Sequence, residues 1–274
     1  MQDMLAPSLS PLIQLLAPTT VTGFILFLTR VSGLMVAAPF FSNHGVPHQV
    51  KIFVAVSLSL LLFPLFSQAQ GTILPQHMGQ MLWLGMQEFL IGLIMGFVAE
   101  LLMHAVRMTG DVVSLQMGLS MSMIMDPASG RQNNLMGQLY FYAAMMLFLS
   151  LNLHHALIAG LVKSFQAIPL GVGFLTQGHF GLLIERLLAM SGHAFQVALL
   201  VGMPVFALLL CMELASAFVA KTMPQMNLFM VAMPLKPLVG LVAVAMGLPL
   251  VNQVLGKEYA LLTQHLFGLF RGIG

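Results

Sequence analysis

Four polar side chains stand out by their spacing: Glu100, His104, Arg107 and Asp111. Separations of 4, 3 and 4 residues put all four within about 60° of one face of a helix turning 100° per residue. Acid and base alternate along that face, so Glu100 can pair with His104 and Arg107 with Asp111. Two uses follow from the pattern. One is a self-compensated polar stripe at a helix end, bonded to a neighbouring element. The other is a stripe that lines an aqueous path or docks a partner subunit. Proton-relay chemistry is a more distant third.

Other candidate groups are sparse. Cys211 is alone, which excludes an internal disulfide and any cysteine-based zinc or iron–sulfur site, and its apolar run predicts a buried structural thiol. His44 and His48 are separated by Gly45 and Pro47, which disfavour the helix that would aim both at one metal. His154 and His155 are adjacent and should diverge by about 100° on a helix. No H-E-x-x-H, Walker-type, G-x-S-x-G or paired-carboxylate pattern occurs, so the chain reads as no enzyme, with no metal and no cofactor. The segment GDVVSLQMGLSMSMIMDPASG, residues 110–130, is different in kind. Ser114, Ser120 and Ser122 alternate with Met117, Met121, Met123 and Met125, with turn chemistry at Gly118 and at Asp126-Pro127. It is too broken for a lipid-facing helix and too apolar for a solvated loop. A partly irregular, Met-lined segment held inside the protein is the expectation. Methionine makes up 24 of 274 residues; most should be core filler, but the group at 117–125 suits a deformable seal.

The elements that must position these groups are dictated by composition. Fifty-nine per cent of the chain is hydrophobic and 7 % charged, against about 25 % charged in ordinary soluble domains. That is too little charge to solvate a globular surface, and it excludes a soluble enzyme, a nucleic-acid binder and a disordered chain. Six charge-poor stretches predict membrane-spanning helices near residues 19–41, 50–66, 78–103, 135–153, 187–218 and 228–251. The first has no basic residue ahead of it until Arg30 and reads as an uncleaved anchor. Arg30, Glu88 and Glu213 lie within such stretches. A bare charge at the bilayer centre costs about 2.5–3.5 kcal/mol even on the mildest scale, so these groups must face protein, a partner or water. Pro204, Pro224, Pro234, Pro237 and Pro249 predict broken or kinked helices in the last third. Basic residues show almost no positive-inside asymmetry, a sign that simple six-span insertion does not describe the mature state. Without linker, charged tail or low-complexity block, residues 1–274 read as one all-α domain.

Gln116-Met117-Gly118-Leu119-Ser120 with Asp126-Pro127 resembles the FliR family of flagellar type III export-gate subunits. So do Arg30…Pro39-Phe40-Phe41 with Val46-Pro47, Asn152-Leu153-His154-His155-Ala156-Leu157, and Ser164-Phe165-Gln166-Ala167-Ile168-Pro169-Leu170-Gly171. The most specific match is Pro224-Gln225-Met226-Asn227-Leu228-Phe229 followed by Met233-Pro234-Leu235. The resemblance implies broken helical hairpins that assemble, one copy with FliP and FliQ subunits, into a helical gate that also engages FlhB and FlhA. The location implied is the flagellar basal body in the bacterial inner membrane. It implies that the segment matching residues 110–127 plugs the closed pore, with Gln116, Met117, Gly118, Leu119, Ser120, Met121, Ser122, Met123 and Met125 as plug or gasket. Some members carry an aromatic where this chain has Met121, which implies a softer closure here. Unfolded flagellar proteins would pass through. The equivalent subunit of virulence injectisomes shares the fold but usually lacks the Gln-Met-Gly…Asp-Pro pattern, although Met233-Pro234-Leu235-Lys236 looks closer to that branch. A proton-coupled secondary transporter, with the stripe as coupling site, is the rival from another class.

Overall fold

The computed structural model describes residues 18–42, 46–67, 77–119, 134–171, 180–223 and 228–269. Every regular element among them is an α-helix: α1 (Pro18–Ala37), α2 (His48–Ser67), α3 (Met78–Gln116), α4 (Leu135–Ser150), α5 (Leu153–Ala167), α6 (Phe180–Thr222) and α7 (Leu228–Leu269). Five of them, α1, α2, α3, α6 and α7, are long and apolar enough to cross a membrane, and α4 with α5 makes a sixth span if counted as one broken helix. This is an all-α, multi-pass membrane fold.

Three helices are much longer than their predicted spans. The 39 residues of α3 extend about 58 Å at 1.5 Å per residue, nearly twice the hydrocarbon thickness of about 30 Å. The predicted third span stops near Met103, where polar residues begin. The helix continues to Gln116 because side chains spaced by three and four change the polarity of one face without disturbing backbone hydrogen bonds. The stripe therefore lies in the body of a helix, not at its end. Residues 110–116, expected to be partly irregular, are helical for the same reason. Of the two outcomes expected at proline, a break or a kink, no break falls at these positions: α6 runs through Pro204, and α7 through Pro234, Pro237 and Pro249. Each proline removes one donor, but the apolar sequence around it offers no other partner for the remaining backbone groups, so helix stays the cheapest conformation. Pro224 lies outside the described residues. A break falls instead at Leu151-Asn152, where Asn152 adopts φ 56°, a left-handed conformation that asparagine tolerates better than most.

The chain divides into two compact units. The first is Met1–Glu100, His154–Leu188 and Thr263–Gly274; the second is Leu101–Leu153 and Ala189–Leu262. In the first, α1 packs on α2 through edge-to-face contacts of Phe63 with Phe24 and Phe27, and Phe27 stacks on Phe165 of α5 at 4.1 Å. Close approach of α1 to α3 depends on glycine. A Cβ at Gly92 would collide with the Arg30 carbonyl oxygen, one at Gly33 with that of Phe89, and one at Gly96 would lie 2.7 Å from the Ala37 Cβ. Small residues at such crossings let backbones meet where no hydrophobic effect drives apolar helices together. In the second unit, Ala105 of α3 packs with Ala194 and Ala198 of α6, and the Thr109 hydroxyl donates to the Ala198 carbonyl at 2.7 Å. The fully buried Tyr259 of α7 donates to the Ala144 carbonyl of α4 at 3.1 Å.

The C-terminus of α3 is closed by a Schellman motif. The Leu119 N–H donates to the Ser114 carbonyl at 3.1 Å and the Gly118 N–H to that of Leu115 at 3.0 Å. Gly118 has φ 77°, so the turn expected there from its residue type is present. Gly118→Ala places a Cβ in the left-handed region and should cost about 1–2 kcal/mol, read as a lowered melting temperature of the detergent-solubilised chain.

Candidate functional site

The first unit holds a buried charge network that links α1, α3 and α5. The Arg30 Nε donates to the Glu88 carboxylate at 2.5 Å, with the arginine side chain wholly buried. Its Nη1 donates to the Ser164 hydroxyl at 3.2 Å and its Nη2 to the Ile168 carbonyl at 3.1 Å. The Ser164 hydroxyl in turn donates to the Leu161 carbonyl at 2.7 Å. The second Glu88 oxygen accepts from the Gly171 N–H at 3.3 Å, where φ is 79°. The guanidinium also lies 4.2 Å over the Phe165 ring. Arg30 and Glu88 were recognisable in the sequence as charges in need of cover. Their mutual pairing, and the part played by Ser164, Phe165, Ile168 and Gly171, were not. The Ser164–Gly171 motif turns out to be the second half of the Arg30 site.

The stripe divides between the units. In the first, Glu100 is buried and accepts from the Ser42 hydroxyl at 3.0 Å. In the second, His104 and Arg107 are exposed on α3, and Arg107 reaches the Phe141 ring of α4 at 6.0 Å. Asp111 is half-buried and accepts from Asn134 at 2.7 Å. Asn134 is the N-cap of α4, and its side-chain oxygen accepts from the Gly137 N–H. A Cβ at Gly137 would collide with Asp111, and one at Gly110 with the Met136 carbonyl, so α3 and α4 meet through glycine at the stripe's end.

Of the residues expected to act as plug or gasket, Gln116, Met117, Gly118 and Leu119 are among those described. Met117 is 2 % exposed, although its neighbours Gln116 and Leu119 face outward. It lies against Gly240 of α7, where a Cβ would stand 2.7 Å from the Met117 sulfur. Ser120, Met121, Ser122, Met123, Met125, Asp126 and Pro127 lie outside the described residues.

A hydrogen bond and an ion pair join α6 to α7. His193 meets Glu258 at 2.6 Å, and Lys236 meets Glu213 at 3.1 Å with side chains 30 % and 50 % exposed. Glu213 thus has a partner within the chain, which the sequence had left open. Cys211 is exposed, contrary to the buried thiol expected. Helix α6 is apolar on all sides there, and an all-round apolar run carries no mark of which face is covered. The imidazoles of His154 and His155 do not diverge; their centroids lie 4.2 Å apart. Adjacent Cα atoms are about 3.8 Å apart, so side-chain rotation alone can bring such rings together. His44 lies outside the described residues, and among those described no group of three His, Cys, Asp or Glu side chains could hold a metal ion.

Residues 21–262 match the family described as bacterial export proteins, family 1. The chain is 30 % identical over 253 residues to the flagellar biosynthetic protein FliR of Bacillus subtilis strain 168, covering 92 % of this chain and 96 % of that one. It is 32 % identical over 224 residues to the FliR of Escherichia coli K12, covering 82 % and 83 %. The FliR of Aquifex aeolicus VF5 is 26 % identical over 230 residues, covering 84 % and 86 %. Family 1 spans both units and nearly every residue discussed above, and the relatives match over most of their own length: the chain belongs to the FliR family of bacterial export proteins.

Proposed function

We propose that residues 1–274 form a single structural subunit of the flagellar protein export gate in the bacterial inner membrane, and that the segment 116–125 helps to close its pore. The observation that carries the reading is membership of the export family across residues 21–262, with relatives named as flagellar biosynthetic proteins. Geometry adds support. Arg107 and the Lys236–Glu213 pair are exposed on helices of membrane-spanning character. Charges so placed are expensive against lipid and favour a water-filled lumen or a neighbouring subunit. The subunits in question are FliP and FliQ, with FlhB and FlhA engaged alongside, and unfolded flagellar proteins are the transient cargo. On this reading the outward-facing residues of the stripe, His104 and Arg107, face that lumen or a partner. Asp111, through Asn134, ties together the helices on either side of the closing segment. Flexible Met side chains seal the resting pore and adapt to cargo of varied sequence.

The test is purification of the tagged chain from native membranes in mild detergent, with native mass spectrometry of what accompanies it. A hetero-oligomer containing one copy of this chain with FliP and FliQ is the expected result. Injectisome partners in their place would move the chain to the virulence branch. A monomer active in solute uptake would overturn the reading in favour of a transporter. Deletion of residues 116–123 should raise leakage of small solutes through the assembled complex, and unchanged leakage would remove the closing role.

A further inference from the structure

We propose that Gly240 of α7 is the seat on which Met117 latches the C-terminal turn of α3 in the closed position. The inference rests on the reading of residues 116–125 as the closing segment and names the contact that holds that segment's start. Met117 is the last residue before the Gly118 reversal, so its side chain fixes the point from which the chain leaves α3. It is only 2 % exposed, in a turn whose flanking side chains are exposed. The cover is a glycine in the interior of a helix, a position where glycine is unfavourable unless something requires it. A Cβ at 240 would overlap the Met117 Cγ and approach its sulfur and Cε at 2.7 and 2.8 Å, so the thioether fills the volume that any other side chain would occupy.

The chemistry of the two residues suits a reversible latch. An unbranched thioether has three rotatable bonds and can leave its seat without unwinding α3. The Schellman hydrogen bonds behind it are backbone-only and stay closed when the side chain moves. Gly110 and Thr109, about two turns earlier, hold α3 against α4 and α6 independently of Met117. Release of the side chain therefore frees the end of α3 without dissolving the unit.

The experiment uses the full chain in its assembled complex, with solute leakage and complex abundance read separately. Gly240→Val should raise leakage several-fold at unchanged abundance, and Met117→Ala should do the same. The double variant should be no leakier than the worse single one, because both remove a single contact. A second measurement covers the case in which Gly240→Val fails to assemble. In a Cys211→Ser background, Met117→Cys with Gly240→Cys is oxidised by copper phenanthroline, two thiols losing two protons and two electrons to form one disulfide. Export should fall several-fold and return on reduction with dithiothreitol. Absence of the crosslink, or export unchanged once it has formed, would overturn the latch. If deletion of 116–123 raises leakage while Gly240→Val assembles and does not, the latch falls and the closing segment stands. If the deletion raises no leakage, the closing role falls first.

Discussion

Glu88→Ala is expected to cost about 3–5 kcal/mol, because it strands the Arg30 guanidinium in a site that excludes water. The surviving hydrogen bonds to Ser164 and the Ile168 carbonyl satisfy donors, but they supply no countercharge. The loss should appear as degradation of the chain in the membrane and a lowered melting temperature in detergent. Arg30→Met alone should be severe for the reciprocal reason, leaving a carboxylate buried with only the Gly171 N–H described as its donor. The double variant Arg30→Met with Glu88→Leu is the informative one. Replacing a buried ion pair with apolar side chains of similar volume is often neutral, so stability should return most of the way to the parent value. A double variant as unstable as either single would mean that the pair acts through something other than mutual neutralisation, such as the placing of the Ile168–Gly171 turn.

Gly92→Leu should cost about 3 kcal/mol, at the upper end of what overpacking usually produces, because the obstacle is backbone. A Cβ at position 92 collides with the Arg30 carbonyl oxygen and stands 2.8 Å from the Leu34 nitrogen, and neither atom can rotate away. The α1–α3 crossing must open, and the geometry of the Arg30–Glu88 pair one turn away opens with it. Gly85, two turns earlier in α3, is the matched control. Nothing lies within 4 Å of a Cβ there, so Gly85→Ala should stabilise by about 0.5–1 kcal/mol through the lost backbone entropy of glycine. Opposite signs from two glycines in one helix, measured by thermal unfolding in detergent, would confirm that the crossing sets the requirement. A destabilising Gly85→Ala would show instead that α3 needs flexibility along its length.

The candidate site was legible to different depths. The Schellman turn could be read from Gly118 because residue type alone dictates where a left-handed φ is cheap. The 3–4 spacing of Glu100, His104, Arg107 and Asp111 correctly put them on a helix. It could not tell that Glu100 would be buried beside Ser42 while Arg107 stayed exposed, since burial depends on which elements arrive from elsewhere. The same limit explains Cys211, in a run that is apolar on every side. Proline by itself could not decide between a broken and a kinked helix for a related reason: its local cost is fixed, but whether the helix breaks depends on the alternatives open to its neighbours, and in an apolar chain those are few.

Composition and period by themselves determined that this chain is helical, that it belongs with membranes, and that its internal charges needed cover, because solvation and helix geometry act on every residue regardless of distant neighbours. Only the tertiary structure decided which charge covers which. Arg30 and Glu88 are 58 residues apart, and Arg30 and Ile168 are 138 apart. Met117 meets Gly240 across a comparable gap of sequence. Such partners have no spacing to recognise; close packing selects them, through helices that approach only where glycine lets their backbones touch.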